Sequence, residues 1–228
     1  MKVLTVAEMA LREIVRRRSV LLILALLPLA FYLSRRDGHL GQSIRFVCLG
    51  IGWAVSTAAL FAGNAARGLE PRLRLSGYRG RDLHGGRLLA LWVLGAALAV
   101  PYFLLILLDD QHPGIRYASV ALILAGVVAV APPFGLLLSA VLPRELEGTL
   151  VLLTVVGLQM LVEPESLTAK LLPFWFVREI GTYAVDLTDD GYLRRGLLHA
   201  ALTLAVVLVA GTAAALTRLR IRPPARLA

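Results

Sequence analysis

The sequence is poor in charged residues and in cysteine. Only 17% of its 228 residues are Asp, Glu, Lys or Arg, against about 25% in soluble domains. Hydrophobic residues make up 58% of the chain, and the mean hydropathy is +0.75. This composition excludes a disordered chain and argues against a water-soluble enzyme domain. The single cysteine, Cys48, excludes an intrachain disulfide and any cysteine-based metal site.

Acidic residues are also scarce, with 15 Asp and Glu against 24 Lys and Arg, so that the net charge is +9. In a soluble protein this excess would suggest a nucleic-acid partner. In a membrane protein it has a simpler cause, because basic residues are retained on the cytoplasmic side of the bilayer. We therefore expect an all-α polytopic membrane protein that contacts the lipid bilayer and no nucleic acid.

Apolar runs are abundant, and they predict six transmembrane helices. The predicted spans are about 19–34, 46–66, 88–108, 117–142, 148–162 and 196–217. A helix needs about 20 residues to cross the hydrocarbon core. The short first run is flanked by arginines that can reach the interfaces, and it lacks a small-residue cleavage site, so we interpret it as a retained span rather than a signal peptide.

The segment around the fifth run is unusual. The run 148–162 has 15 residues, which is about 22 Å of helix and marginal for a full crossing. The residues after it mix apolar side chains with Glu165, Lys170, Arg178 and Glu179. Such a segment can enter the membrane and return when it is buried against protein. We predict a re-entrant segment at 164–180, before the last span.

The basic residues predict the orientation of the spans. With the N-terminus inside, sixteen Lys and Arg fall in cytoplasmic segments and eight fall outside. This two-to-one bias favours cytoplasmic termini, with a basic cytoplasmic tail at 219–228. The expected location is a bacterial inner or plasma membrane, crossed several times.

Two cytoplasmic segments have recognisable patterns. Residues 1–18 predict an amphipathic interfacial helix in which Thr5 is the N-cap and Glu8 completes a capping box. The loop 67–87 predicts a helix of about six residues, since Glu70 can cap it, Pro71 suits its first turn, and Gly77 suits its end. A second helix is expected to start at Asp82 and to continue into the third span.

Motifs for chemistry are absent. The sequence has no GxxxxGK[ST] loop, no HExxH or paired histidines, and no GxSxG elbow. No catalytic residue, metal site or cofactor is therefore expected in this chain. Among the uncharged polar residues of the spans, Gln159 and His199 are the candidates for lining a substrate path, although helix packing is the commoner use of such groups.

The order of these elements resembles the permease subunit of type-2 ABC exporters. Three local matches support the resemblance. They are Arg16-Arg17-Arg18-Ser19, the loop from Gly68-Leu69-Glu70 to Arg87-Leu88-Leu89-Ala90, and Pro143-Arg144-Glu145-Leu146-Glu147-Gly148-Thr149-Leu150. The loop 67–87 departs from the family pattern. Family members often have a Glu-Gly-Thr-Leu run in this loop, whereas here that run occurs only at 147–150.

The resemblance implies a transport mechanism. A second permease chain, identical or a sister, would complete the transmembrane dimer. A separate cytosolic P-loop ATPase would bind ATP and Mg and drive outward movement of a hydrophobic or amphipathic substrate. The implied contact residues for that ATPase are Glu8, Arg12, Glu70, Arg72, Leu73, Arg74, Leu75 and Tyr78. In this hypothesis Leu73, Leu75 and Tyr78 enter the ATPase groove, and Glu70, Arg72 and Arg74 form a polar rim.

Three alternatives remain open at this stage. A haem-exporter-like permease has a similar length and number of spans. A membrane assembly factor would need no ATPase. A six-span membrane enzyme should show ionisable residues converging at one membrane depth, and the sequence gives no such pattern.

Overall fold

The computed structural model describes residues 2–34, 40–109, 114–142, 144–163, 165–186 and 188–218. Within these ranges the chain forms helices and no strand, which confirms the predicted all-α class. The helices are α1 (Lys2–Arg16), α2 (Arg18–Leu33), α3 (Leu40–Ala65), α4 (Glu70–Leu75), α5 (Gly80–Leu108), α6 (Tyr117–Val141), α7 (Glu145–Leu161), α8 (Leu167–Leu171), α9 (Trp175–Val185) and α10 (Asp190–Arg218), with one 3-10 turn at Ala66–Gly68. The predicted tail 219–228 lies outside the described residues.

Four helical segments are long and apolar enough to cross a membrane. They are Gly41–Gly68, Gly80–Leu108, Tyr117–Val141 and Asp190–Thr217, and they correspond to the second, third, fourth and sixth predicted spans. The first predicted span forms the 16-residue α2 and the fifth lies in the 17-residue α7, which are about 24 and 26 Å long. Four spans are thus supported by length and composition, and the count of six stays a prediction.

Helix α3 lies at the centre of the fold and packs most extensively on α6. The two helices run parallel, since Gly52 lies against Val127 near the middle of both helices and Gly63 lies against Ser139 near their C-terminal ends. Small residues allow their backbones to approach closely. A Cβ atom at Gly135 would lie only 2.1 Å from the carbonyl oxygen of Ser56. Such small-residue contacts are typical of helix pairs in membranes.

Replacing Gly135 with alanine should destabilise the protein. The added methyl group would meet the α3 backbone at Ser56 rather than a flexible side chain, and overpacking of this kind costs about 1–3 kcal/mol. Gly157→Ala in α7 is the matched control, because a Cβ there has nothing within 4 Å. Thermal unfolding in detergent should show a lower midpoint for Gly135→Ala only. Equal midpoints for the two variants would contradict the close α3–α6 contact.

Helices α8 and α9 occupy the predicted re-entrant region. Helix α9 runs antiparallel to α3, with Val185 against Gly41 at the start of α3 and Phe174 against Gly52 near its middle. Phe174 and Phe176 are completely buried. Because α3 has 26 residues, the turn before α9 lies roughly 18 Å along it, at half its length. This segment therefore reaches the interior of the helical bundle.

Candidate functional site

The short helix α4 is defined by the residues at its two ends. Pro71 lies in its first turn, and Leu69 is the N-cap because its carbonyl accepts from Leu73 N at 3.1 Å. The prediction that Glu70 is the cap is therefore wrong by one residue. At the other end Gly77 has a φ of +85°, as predicted for the residue after the helix.

The end of α4 is a Schellman motif. The Gly77 amide donates to the Arg74 carbonyl at 3.0 Å, and the Tyr78 amide donates to the Leu73 carbonyl at 3.1 Å. Helix α5 begins directly after it, where the Arg79 amide donates to Asp82 Oδ2 at 3.1 Å. The first residue of α5 is Gly80, two residues before the predicted start at Asp82. Asp82 is the third residue of the helix, and its side chain caps the helix from that position.

Glu70 fixes α4 to the body of the protein. Its Oε1 accepts from Arg87 Nη1 at 2.5 Å, and both side chains are less than 10% exposed. The implied place of Glu70 on an exposed rim is therefore wrong. It faces inward and joins the first turn of α4 to the N-terminal part of α5. The predicted orientation would place this part of α5 on the cytoplasmic side.

The leading helix α1 packs on the same end of α5. A Cβ at Gly86 would lie 2.6 Å from Val6 Cβ, so the two helices touch along their backbones. Lys2 Nζ donates to the Gly77 carbonyl at 2.8 Å. Helix α1 begins at Lys2, so Thr5, the predicted N-cap, lies inside the helix. The hydrogen bond from Lys2 to Gly77 holds the part of α1 that precedes Thr5.

The exposed side of these elements includes most of the implied contact residues. Leu75 is 90% exposed, the largest exposed fraction of any large hydrophobic side chain in the described residues. Arg72 is exposed, while Leu73, Arg74 and Tyr78 are half-buried. We call these five residues the α4 surface. The predicted pair Glu8–Arg12 forms an exposed ion pair on α1.

The opposite end of the bundle contains a polar cleft that the sequence prediction did not identify. It has a volume of about 560 Å³, and we call it the charged cleft. It is lined by Arg45, Glu165, Lys170, Trp175, Arg178, Glu179, Thr182, Asp186, Tyr192 and Arg195. Glu165, Lys170, Arg178 and Glu179 had been recognised as charges in the predicted re-entrant segment, but only the fold brings them to α3 and α10.

Two ion pairs organise the charged cleft. Arg45 Nη2 donates to Asp186 Oδ2 at 3.1 Å and to Thr182 Oγ1 at 2.7 Å. Arg195 Nε donates to Glu179 Oε2 at 2.9 Å. Within the described residues Arg178 forms no ion pair or hydrogen bond through its side chain. Burial, together with the nearby charge of Arg45, lowers the pKa of Arg178.

Gln159 and His199, the two candidates for lining a substrate path, both lie near this cleft but differ in their contacts. Gln159 lines a smaller pocket beside the cleft, and its Oε1 is buried without a hydrogen-bond partner. His199 is held by packing and hydrogen bonding. Its ring lies 5.2 Å from that of Trp175, and its Nε2 is 3.0 Å from the Lys170 carbonyl. His199 supports the wall of the charged cleft without lining it.

Among the described residues, no three His, Cys, Asp or Glu side chains lie together in a group that could hold a metal ion. Comparison with known protein families finds no match, and neither does comparison with curated proteins.

Proposed function

We propose that this chain is the transmembrane permease subunit of an ATP-driven ABC exporter and works with a separate cytosolic ATPase. One observation carries the proposal. A six-residue helix lies between two apolar spans, is fixed by the Glu70–Arg87 ion pair, and exposes Leu75 almost fully. A loop that only set the topology would need neither the fixed helix nor the exposed leucine.

The contacts of α4 suggest how force would reach the membrane. Pressure on the α4 surface would pass through the ion pair of Glu70 to Arg87, which belongs to α5. Pressure on α1 would reach α5 through Val6 and Gly86. Both routes end on the same 29-residue helix, so movement of the partner ATPase would tilt α5 as one lever.

The remaining parts of the proposal follow the predicted orientation. The α4 surface would face the cytoplasm and the charged cleft would face outward, with α8 and α9 as the re-entrant segment. A second permease chain would complete the transport path. The cargo would be a hydrophobic or amphipathic molecule, and the ATPase subunit would bind ATP and Mg.

Affinity purification of the tagged chain from its native membrane tests the proposal. In mild detergent, mass spectrometry should identify a stoichiometric P-loop ATPase, and the preparation should hydrolyse ATP. A chain that purifies alone and without hydrolysis would contradict the proposal and favour an assembly factor or a stand-alone transporter.

A further inference from the structure

The charged cleft has an excess of positive charge. Of its seven charged residues, Arg45 is paired with Asp186 and Arg195 with Glu179. The remaining three are Lys170, Arg178 and Glu165. Arg178 is half-buried and forms no close ion pair, and the charges of Glu179 and Glu165 act on it only at longer range. An anion bound here would supply the missing close partner.

Arg45 also has unused hydrogen-bonding capacity. Its Nη2 is occupied by Asp186 and Thr182, but its Nε is buried and has no acceptor. Arg45 and Arg178 line both the charged cleft and the smaller pocket beside it, where their like charges repel each other. An oxyanion between them would accept hydrogen bonds and relieve this repulsion. Guanidinium groups bind phosphate and carboxylate oxygens in this way.

The same two arginines line a second cavity, of about 170 Å³, which we call the adjoining pocket. Its other lining residues are mostly apolar. They are Gln42, Phe46, Leu49, Gln159, Met160, Phe174 and Val177. Arg45 and Arg178 thus lie at the boundary between the charged cleft and a pocket whose other walls are five apolar and two amide side chains.

We propose that this paired site binds an anionic amphiphile, with its phosphate or carboxylate on Arg45 and Arg178 and the start of its apolar chain in the adjoining pocket. This proposal names the substrate class of the exporter. The interpretation of the site as a cargo site rests on the proposed exporter function. The binding itself requires no ATPase and is measured on this chain alone. Its failure is therefore separate from a failure to find a partner ATPase.

The test is calorimetric titration of the purified full chain in detergent with three probes. Dihexanoyl phosphatidic acid supplies the anion and the chains, dihexanoyl phosphatidylcholine supplies the same chains without net charge, and glycerol 3-phosphate supplies the anion alone. The parent chain should bind phosphatidic acid more tightly than either other probe. Arg178→Gln should weaken this binding about tenfold, the effect of one charge-assisted hydrogen bond, and Arg178→Lys should weaken it less.

Arg194→Gln is the matched control. It removes one arginine charge from the start of α10, next to the cleft residue Arg195, but Arg194 itself is exposed and does not line either cavity. The dissociation constant should therefore change less than twofold. Equal binding of phosphatidylcholine, or an unchanged constant in Arg178→Gln, overturns the site. Equal binding of glycerol 3-phosphate overturns the role of the apolar pocket and identifies a site for free phosphate esters. Because Arg178 makes no ion pair and its burial is unfavourable, its replacement should not lower the thermal unfolding midpoint.

Discussion

Replacing Leu75 with aspartate should abolish co-purification of the ATPase and uncouple ATP hydrolysis from transport. Leu75 is 90% exposed, so the fold loses almost no packing. In an apolar groove of a partner, however, the new carboxylate would be buried without a counter-charge. Central apolar contacts of this kind are worth 2 kcal/mol or more, which corresponds to about thirtyfold in affinity. The measurement is the yield of ATPase on affinity purification, with the thermal midpoint as a check on folding.

The control for this experiment is Leu146→Asp. Leu146 is 71% exposed and lies in the first turn of α7. Gly148 in the same turn packs against Leu60, near the end of α3 that leads to α4. An acidic residue at position 146 is compatible with the start of a helix. This variant should retain the ATPase. If both variants release it, or if neither does, the assignment of the α4 surface is wrong. Leu73→Asp should have the same effect as Leu75→Asp, but Leu73 is half-buried and its loss also affects packing.

Replacing Glu70 with alanine should give the largest loss of stability. Arg87 is buried, and removal of one partner of a buried ion pair costs about 3–5 kcal/mol because the other charge loses its counter-ion. The same variant should impair coupling, since α4 would lose its connection to α5. The thermal unfolding midpoint measures the first effect, and ATPase-driven transport in reconstituted vesicles measures the second.

Glu8→Ala is the matched control for Glu70→Ala. It also removes a glutamate from an ion pair with an arginine, but the side chains of Glu8 and Arg12 are 60% and 76% exposed. Exposed pairs four residues apart on a helix contribute only about 0.3–0.5 kcal/mol. Midpoints that fall equally in the two variants would show that the Glu70–Arg87 pair has no special part in holding α4.

Local rules predicted much of this fold, and the errors have physical causes. Long apolar runs predicted four helices that are able to span a membrane, and the pattern from Pro71 to Gly77 predicted α4 to within one residue. The cap assigned to Thr5 was wrong because Lys2, which binds the Gly77 carbonyl, belongs to an earlier turn of the same helix. A contact between distant residues overrode a local capping signal.

Two ion pairs, Glu70–Arg87 and Arg45–Asp186, could not be predicted from short-range sequence patterns. Glu70 and Arg87 are 17 residues apart and belong to different helices, so no helical spacing relates them. Arg45 and Asp186 are 141 residues apart. The charges after the fifth run were visible in the sequence, but the cleft exists only because α9 returns along α3.

Photo-crosslinking from position 75 tests the central claim most directly. A benzoylphenylalanine at position 75, in the full chain in native membranes, should capture a protein that mass spectrometry identifies as a P-loop ATPase. The same probe at position 146 should not capture it. Capture from position 75 alone is the predicted result, and it would place the ATPase on the α4 surface. An ATPase captured equally from both positions, or from neither, would contradict the account.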